Sequence, residues 1–403
     1  MKTEEARKTA GHAAWRGRIN GHLTNWVLPL GILFLLTSMM WAGDKKLFQQ
    51  LFYVFLAAPA LILALNDRSL LTALLRSPVF IAFLCFATYF SISISWSGTD
   101  ESALSLLKRP LYVLGLFFGC AGVAIHRPAR FKAVIQLSAV IAVIAAAVQI
   151  SIFVISDHGS RLPGYGALYN PLLTSHVFGF FLVLWIAYWI QSKQFILPSA
   201  LIAVAVIGGL ILATGSRTPL LALTATILWL ALLGGRRGAY ACGILILTGA
   251  VIVMLWPEIV TQRGLSYRPQ IWAEAARQAL ESPMFGHGFD HPLSIIIKGL
   301  DTSFREPHNI TLSVFYHGGA LGLIFWTALF LSALAVSWKK RKEPLVFALS
   351  ATIVYGLAAS MTEGGSFLPR PKEHWYLLWI PFALLTAATL KKRSSMSAQR
   401  NAV

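Results

Sequence analysis

Apolar stretches of about twenty residues recur from one end of this 403-residue chain to the other, and they restrict what it can fold into. A helix of that length crosses the hydrocarbon core of a bilayer. Backbone at that depth must satisfy its own hydrogen bonds, as a helix does within a single segment. Twelve such runs are legible, at about 26–43, 48–66, 77–95, 107–125, 132–155, 174–191, 195–214, 217–233, 239–256, 309–337, 345–362 and 374–390. The expected fold class is an all-α integral membrane protein of about 12 transmembrane helices, with residues 1–403 as a single transmembrane domain. A mean hydropathy of +0.65 with only 12% charged residues excludes a soluble domain. No cleavable signal is expected: the first 25 residues are polar and basic, and the run that follows is long enough to remain as a span.

Lys and Arg placement orients the spans. With the N-terminus in the cytoplasm, the inside segments hold 21 of the 34 basic residues, among them Lys339-Lys340-Arg341-Lys342, Arg236-Arg237 and Lys391-Lys392-Arg393. The outside segments hold 13, five of them in one long loop. Acids divide the other way: only Glu4, Glu5, Asp67 and Glu343 fall inside. The expectation is N-in and C-in, with the long loop, residues 257–308 between spans 9 and 10, in the periplasm. The net charge of +18 is then an orientation signal that meets anionic headgroups, and no nucleic-acid partner is expected. Cys85, Cys120 and Cys242 lie inside apolar runs, which rules out a secreted disulfide framework and fits no metal site.

The long loop carries Arg263, Arg268, Arg277, Lys298 and Arg305, and ends in Pro307-His308-Asn309. A cationic loop of this kind points to an anionic substrate at the membrane surface. Between Ser266-Tyr267-Arg268-Pro269 and Pro283 the spacing of Ile271, Trp272, Ala275, Ala276, Ala279 and Leu280 predicts an amphipathic helix. Gly286-His287-Gly288 reads as a tight turn, and a second short helix is expected around 291–299. In the loop after span 5, Arg161 precedes Leu162-Pro163-Gly164, a stretch suited to a compact turn. Between spans 7 and 8, Gly215 ends one helix and Thr218-Pro219 starts the next, which places Arg217 at the membrane lip.

Four outer groups therefore stand out: Arg161, Arg217, Arg268 and His308. A guanidinium binds phosphate oxygens through two parallel bonds, and charge building on a pyrophosphate leaving group needs such donors. Taken singly, each arginine serves equally well as a headgroup anchor. Three in turn or helix-start contexts on one side favour a binding set. His308, beside a helix N-terminus, suits acceptance of a hydroxyl proton; the plainer alternative is a histidine that braces the loop. His317, half a turn out of phase, is expected to pack near Gly318, Gly319 and Gly322. Glu363 and Glu373-His374 flank the last outer loop, where a carboxylate orients an arginine or forms an internal ion pair. Asp100-Glu101 is the only adjacent acidic pair outside, which is not a metal-binding pattern. No metal and no cofactor is expected.

Three stretches carry a resemblance: Thr214-Gly-Ser-Arg-Thr-Pro-Leu-Leu-Ala-Leu223, Arg268-Pro-Gln-Ile-Trp through Gly286-His-Gly288, and Pro307-His-Asn-Ile-Thr-Leu followed by Gly318-Gly-Ala-Leu-Gly322. With the twelve runs and one large loop before the tenth, the chain resembles the O-antigen ligase family, in the superfamily that also holds O-antigen polymerases and bacterial O-oligosaccharyltransferases. The resemblance implies an inverting glycosyltransferase of the bacterial inner membrane with its active site on the periplasmic side. Its implied partners are a glycan donor on undecaprenyl pyrophosphate, a sugar hydroxyl of lipid A–core as acceptor, and membrane lipids. It maps the family's essential arginines onto Arg268, Arg217 and Arg161, its essential histidine onto His308, and a family acidic residue near the last outer loop onto Glu363 as a supporting candidate. Arg305, from the basic loop, is a second supporting candidate. A polymerase, a protein O-oligosaccharyltransferase and, from another class, a lipid-linked glycan transporter are the alternatives. Spans nearly free of charge count against transport.

Overall fold

The computed structural model describes residues 14–156, 161–192, 198–257, 267–297 and 303–390. Among them, eight helices are long and apolar enough to cross a membrane: α1 (Ala14–Met40), α2 (Lys45–Asn66), α4 (Pro78–Trp96), α5 (Ala103–His126), α6 (Pro128–Ile155), α7 (Pro171–Gln191), α10 (Gly235–Leu255) and α12 (Ile310–Lys339). The short helix α3 (Arg68–Leu74) links α2 to α4. Three apolar helices are shorter: α8 (Pro198–Ala213), α9 (Thr218–Leu233) and α13 (Pro344–Ser360). Helix α11 (Arg268–Ala279) belongs to the long loop, and α14 (Trp379–Thr389) closes the chain's described part.

Each expected run thus falls on a helix, but not every helix has spanning length. The last run, expected at 374–390, is a 3-10 stretch at Glu373–Tyr376 followed by the eleven residues of α14. Its physical cause is close packing: a Cβ on Gly356 of α13 would stand 1.7 Å from the Leu377 carbonyl oxygen. Proline or a polar cap marks most helix starts, as the sequence indicated. Asn170 caps α7 by accepting from the Leu172 and Leu173 amides, and Asn309 caps α12 by accepting from Leu312. Helix α7 is the buried axis of the bundle, with all of Thr174–Leu184 inaccessible, and α8, α9 and α13 pack around it.

The long loop is tied down. In α11, Ile271, Ala275 and Ala279 are buried and form a satellite core with Leu293, Ile295, Ile297 and Tyr316 of α12. Where a second helix was expected at 291–299, Ile295–Ile296 instead forms a short antiparallel ladder with Ser303–Phe304. The β-branched pair favours that pleat over a helix. Part of the expected helix, and Arg263 and Lys298, lie outside the described residues.

The loop also docks on a break in α12. Gly319 has φ +58, which interrupts the helical hydrogen bonds. The freed Tyr316 and His317 carbonyls accept from the His287 and Gly288 amides, at 3.0 and 2.9 Å. The Ala320 and Leu321 amides donate to Pro283 and Met284, at 2.7 and 3.2 Å. The Tyr89 hydroxyl of α4 stands 2.8 and 2.7 Å from the Phe285 and Gly318 carbonyls, which share its one proton. Four backbone bonds contribute about 4 kcal/mol in all. Ordering the backbone costs about 1–2 kcal/mol per residue, so the apolar satellite core is needed to hold the loop. The expected role of Gly318 and Gly319 in close helix contact is met at Gly318, which abuts Phe90, but Gly319 receives loop backbone instead.

Candidate functional site

All the singled-out residues come from helix ends or the connections between them. Helix α8 ends as expected, with Gly215 at φ +59. Helix α9 begins at Thr218 with Arg217 at its N-cap, one residue before the expected cap. Arg161 folds over this turn: its Nε donates to the Thr214 carbonyl at 2.7 Å and its Nη2 to Ser216 Oγ at 3.2 Å. The Leu162 amide donates to Ala213. The compact turn after α6 therefore places Arg161 and Arg217 on one short stretch of backbone at a helix N-terminus, where the macrodipole also favours an anion.

Arg268, Glu363 and His308 form the second group. Arg268 starts α11, and its Nη2 lies 3.3 Å from Glu363 Oε2. His308 Nδ1 lies 4.0 Å from the other oxygen, Glu363 Oε1. That separation exceeds a hydrogen bond, and Nδ1 is buried without a hydrogen-bond partner among the described residues. The His308 backbone is in the left-handed region, φ +49, just before the Asn309 cap. A non-glycine residue there is strained, a condition that clusters at functional sites. Glu363 is 8% exposed. Burial pushes its carboxyl above the ordinary glutamate range, while the charges of His308 and Arg268 and the Gly364 amide pull the other way.

Two buried histidines knit these groups together. His176 Nε2 on α7 is 3.3 Å from Thr218 Oγ1, the first residue of α9, and the Arg268 charge acts on its ring. His374 packs so tightly against Gly364 that a Cβ there would meet its ring at 2.8 Å. Next to it, Glu373 is 3% exposed and paired with Lys45 Nζ at 3.0 Å, the internal ion pair that the sequence left open. His176 was not singled out from sequence. The available signal was a histidine near the outer end of an apolar run, and an ionisable residue within a span by default marks a site.

Not every candidate joins this constellation. Arg305 is exposed and lines a neighbouring cavity. Arg277 is taken up at the surface by Glu274 at 2.7 Å and Glu281 at 2.9 Å. His317, expected to face away from His308, has its Nδ1 2.8 Å from the Ser313 carbonyl and lines the same cavity as Arg305. Among the described residues no group of three His, Cys, Asp or Glu side chains is arranged to hold a metal ion.

The helices define a multi-pass membrane protein, with a polar cluster around the buried Glu363 where helix ends meet. Residues 201–327 match the family model described as O-antigen ligase. The chain is 50% identical over 376 residues to an O-antigen ligase of Pseudomonas aeruginosa PAO1, covering 93% of this chain and 94% of that one. The chain belongs to the O-antigen ligase family, whose members are enzymes of lipopolysaccharide biosynthesis.

Proposed function

We propose that the protein transfers O-antigen glycan from undecaprenyl pyrophosphate to a sugar hydroxyl of lipid A–core, on the periplasmic side of the inner membrane and with inversion. The carrying observation is that Arg268 and His308 flank one buried carboxylate, Glu363. Arg161, Arg217 and Arg268 hold the pyrophosphate; Arg268 gives Glu363 one of its five N–H donors and keeps others for phosphate.

The acceptor oxygen attacks the anomeric carbon from the face opposite the leaving group. That bond forms as the bond from carbon to the pyrophosphate oxygen breaks, and the electron pair leaves on the pyrophosphate, where the arginines stabilise it. The hydroxyl proton passes to His308. Glu363, facing Nδ1, stabilises the imidazolium that results, in the way a carboxylate supports a catalytic histidine elsewhere. In this reading the arginines supply the positive charge, and no metal is required. Confinement of both lipid-linked substrates to one leaflet supplies much of the encounter.

The test uses purified protein in nanodiscs with lipid-linked O-antigen and rough lipopolysaccharide, in chelator and without nucleotide. A glycan ladder on the lipopolysaccharide, lost in Arg268→Ala and His308→Ala, is the expected result. Normal ligation by a correctly folded His308→Ala protein overturns the base assignment. Glycan that lengthens on its lipid carrier instead shifts the reading to a polymerase.

A further inference from the structure

Next to the Glu363–His308 pair lies a separate cavity of about 640 Å³, which is within the size range of small-molecule sites. It is contiguous with the site through the chain itself. Arg305 and Glu306, in its wall, precede His308 by three and two residues, and Gly365 and Ser366 follow Glu363. The far wall comes from the α4–α5 connection and the loop segment that docks on α12.

Its chemistry is unlike that of the arginine cluster. Asp100, Glu101, Asp290 and Glu306 all line it. Two of these carboxylates are fixed by Arg109, whose Nη1 is 2.8 Å from Asp290 Oδ1 and whose Nη2 bonds Glu101. Arg370 Nη2 reaches the same Glu101 at 3.1 Å, and Thr99 Oγ1 donates to Asp290 Oδ2 at 3.2 Å. The Ser105 hydroxyl and these two guanidinium groups hold the Glu101 carboxyl below the ordinary glutamate range, so it remains an ionised acceptor. Phe289 and Phe367, 5.5 Å apart at their centroids, back the cavity from the core and are themselves almost fully buried. Carboxylates held in place complement a molecule with many hydroxyl donors. Against the four carboxylates stand Arg305 in the lining and Arg109 and Arg370 behind it, which leaves a small negative excess that disfavours a phosphate.

We propose that this cavity seats the acceptor: it binds the hydroxyl-rich, phosphate-free sugar end of the acceptor glycolipid and presents one hydroxyl to His308. The assignment rests on the transfer reading above. It divides the site into a cationic half for the donor pyrophosphate and a carboxylate-rich half for the acceptor sugar, with Glu363 and His308 at their junction.

The probe is core oligosaccharide released from rough lipopolysaccharide, deacylated, dephosphorylated and isotopically labelled. Its binding to the full-length protein in nanodiscs is measured without donor. Two variants alter the cavity and leave the arginine cluster intact. Asp290→Asn removes a carboxylate at a residue of φ +67, a conformation that asparagine tolerates. Ser366→Trp fills the space. Wild type is expected to bind the probe, and each variant to bind it about tenfold or more weakly: Asp290→Asn through the loss of a hydrogen bond to a charged group, Ser366→Trp through steric exclusion. Undecaprenyl pyrophosphate binding stays unchanged in both, whereas Arg268→Ala shows the opposite pattern. Equal binding by wild type and a folded Asp290→Asn protein, or no binding by wild type, overturns the proposal. Probe binding that is lost in both variants, in a protein that never forms a glycan ladder, supports the cavity and removes the transfer reading. A ladder with undiminished probe binding in the variants does the reverse.

Discussion

Gly286 and Gly319 occupy each other's side-chain space. A Cβ on Gly286 would stand 2.5 Å from the Gly319 amide nitrogen, and one on Gly319 would stand 2.6 Å from the Gly286 nitrogen. Both are in the left-handed region, at φ +68 and +58. This contact joins the loop to the break in α12, and the loop delivers Arg268 to the site.

Alanine at either position is therefore expected to undock the loop while the bundle stays folded. The left-handed conformation alone costs a non-glycine residue about 1–2 kcal/mol, and contacts at these distances force backbone to move. Hydrogen exchange across 267–297 should rise sharply in Gly319→Ala, helical content should hold, and ligation should fall more than tenfold. Wild-type protection of that segment in Gly319→Ala would remove the docking role.

Arg268 is expected to tolerate lysine poorly. Lysine keeps the charge but loses the planar fork that serves Glu363 and phosphate together. Donor binding should weaken by about tenfold in Arg268→Lys, the loss of a charge-assisted hydrogen bond, and further in Arg268→Ala. Titration with undecaprenyl pyrophosphate checks this. Lysine that matches arginine would reduce Arg268 to a point charge.

Much of this arrangement was legible in the residues, for identifiable reasons. Hydropathy located the twelve apolar helices, since burial in lipid requires long apolar runs; α11 was legible from its helical spacing, and the short α3 was not read at all. Gly215 and Asn309 marked helix ends through local backbone chemistry that needs no tertiary information. Arg161, Arg217 and His308 were readable for the same reason, as cationic or titratable residues at those ends. Other features depended on contacts distant in sequence. His176 looked like part of an apolar run, and its meaning comes from Thr218, 42 residues on. The strand at Ile295–Ile296 exists because Ser303–Phe304 pairs with it, and the truncated final helix reflects the Leu377 carbonyl against Gly356. The acidic cavity gathers the α4–α5 connection, the long loop and the segment after α13, and Asp100-Glu101 alone gave no sign of it.

Glu363 should set opposite pH trends in activity and stability. Its folded carboxyl titrates above the ordinary glutamate range because burial disfavours the charge. In the window between the unfolded and folded values the native state binds more protons, so the group's contribution to stability is present below the window and lost as pH rises through it. Activity runs the other way, since only the ionised form pairs with Arg268 and supports His308. Glu363→Gln is expected to lower ligation at neutral pH at least tenfold and to flatten the change in melting temperature across the window. Unaltered melting profiles in Glu363→Gln would mean that the carboxylate is not desolvated.

Lys45 tests whether the buried end of the site is held by charge. Glu373 has 4% of its side chain exposed, and Lys45, at 35%, reaches it from the start of α2. Its other oxygen, Oε2, is buried without a hydrogen-bond partner among the described residues. Removing one member of a buried pair leaves an uncompensated charge and costs roughly 3–5 kcal/mol. Partial exposure of Lys45 places the expected loss near the lower end, roughly 3 kcal/mol for Lys45→Met. The double variant Lys45→Met/Glu373→Gln removes the orphaned charge and should recover most of it. Thermal melts of the purified single and double variants measure this coupling. Equal destabilisation of the two would show that the lysine stem, and not the ion pair, supports the helix end beside His374.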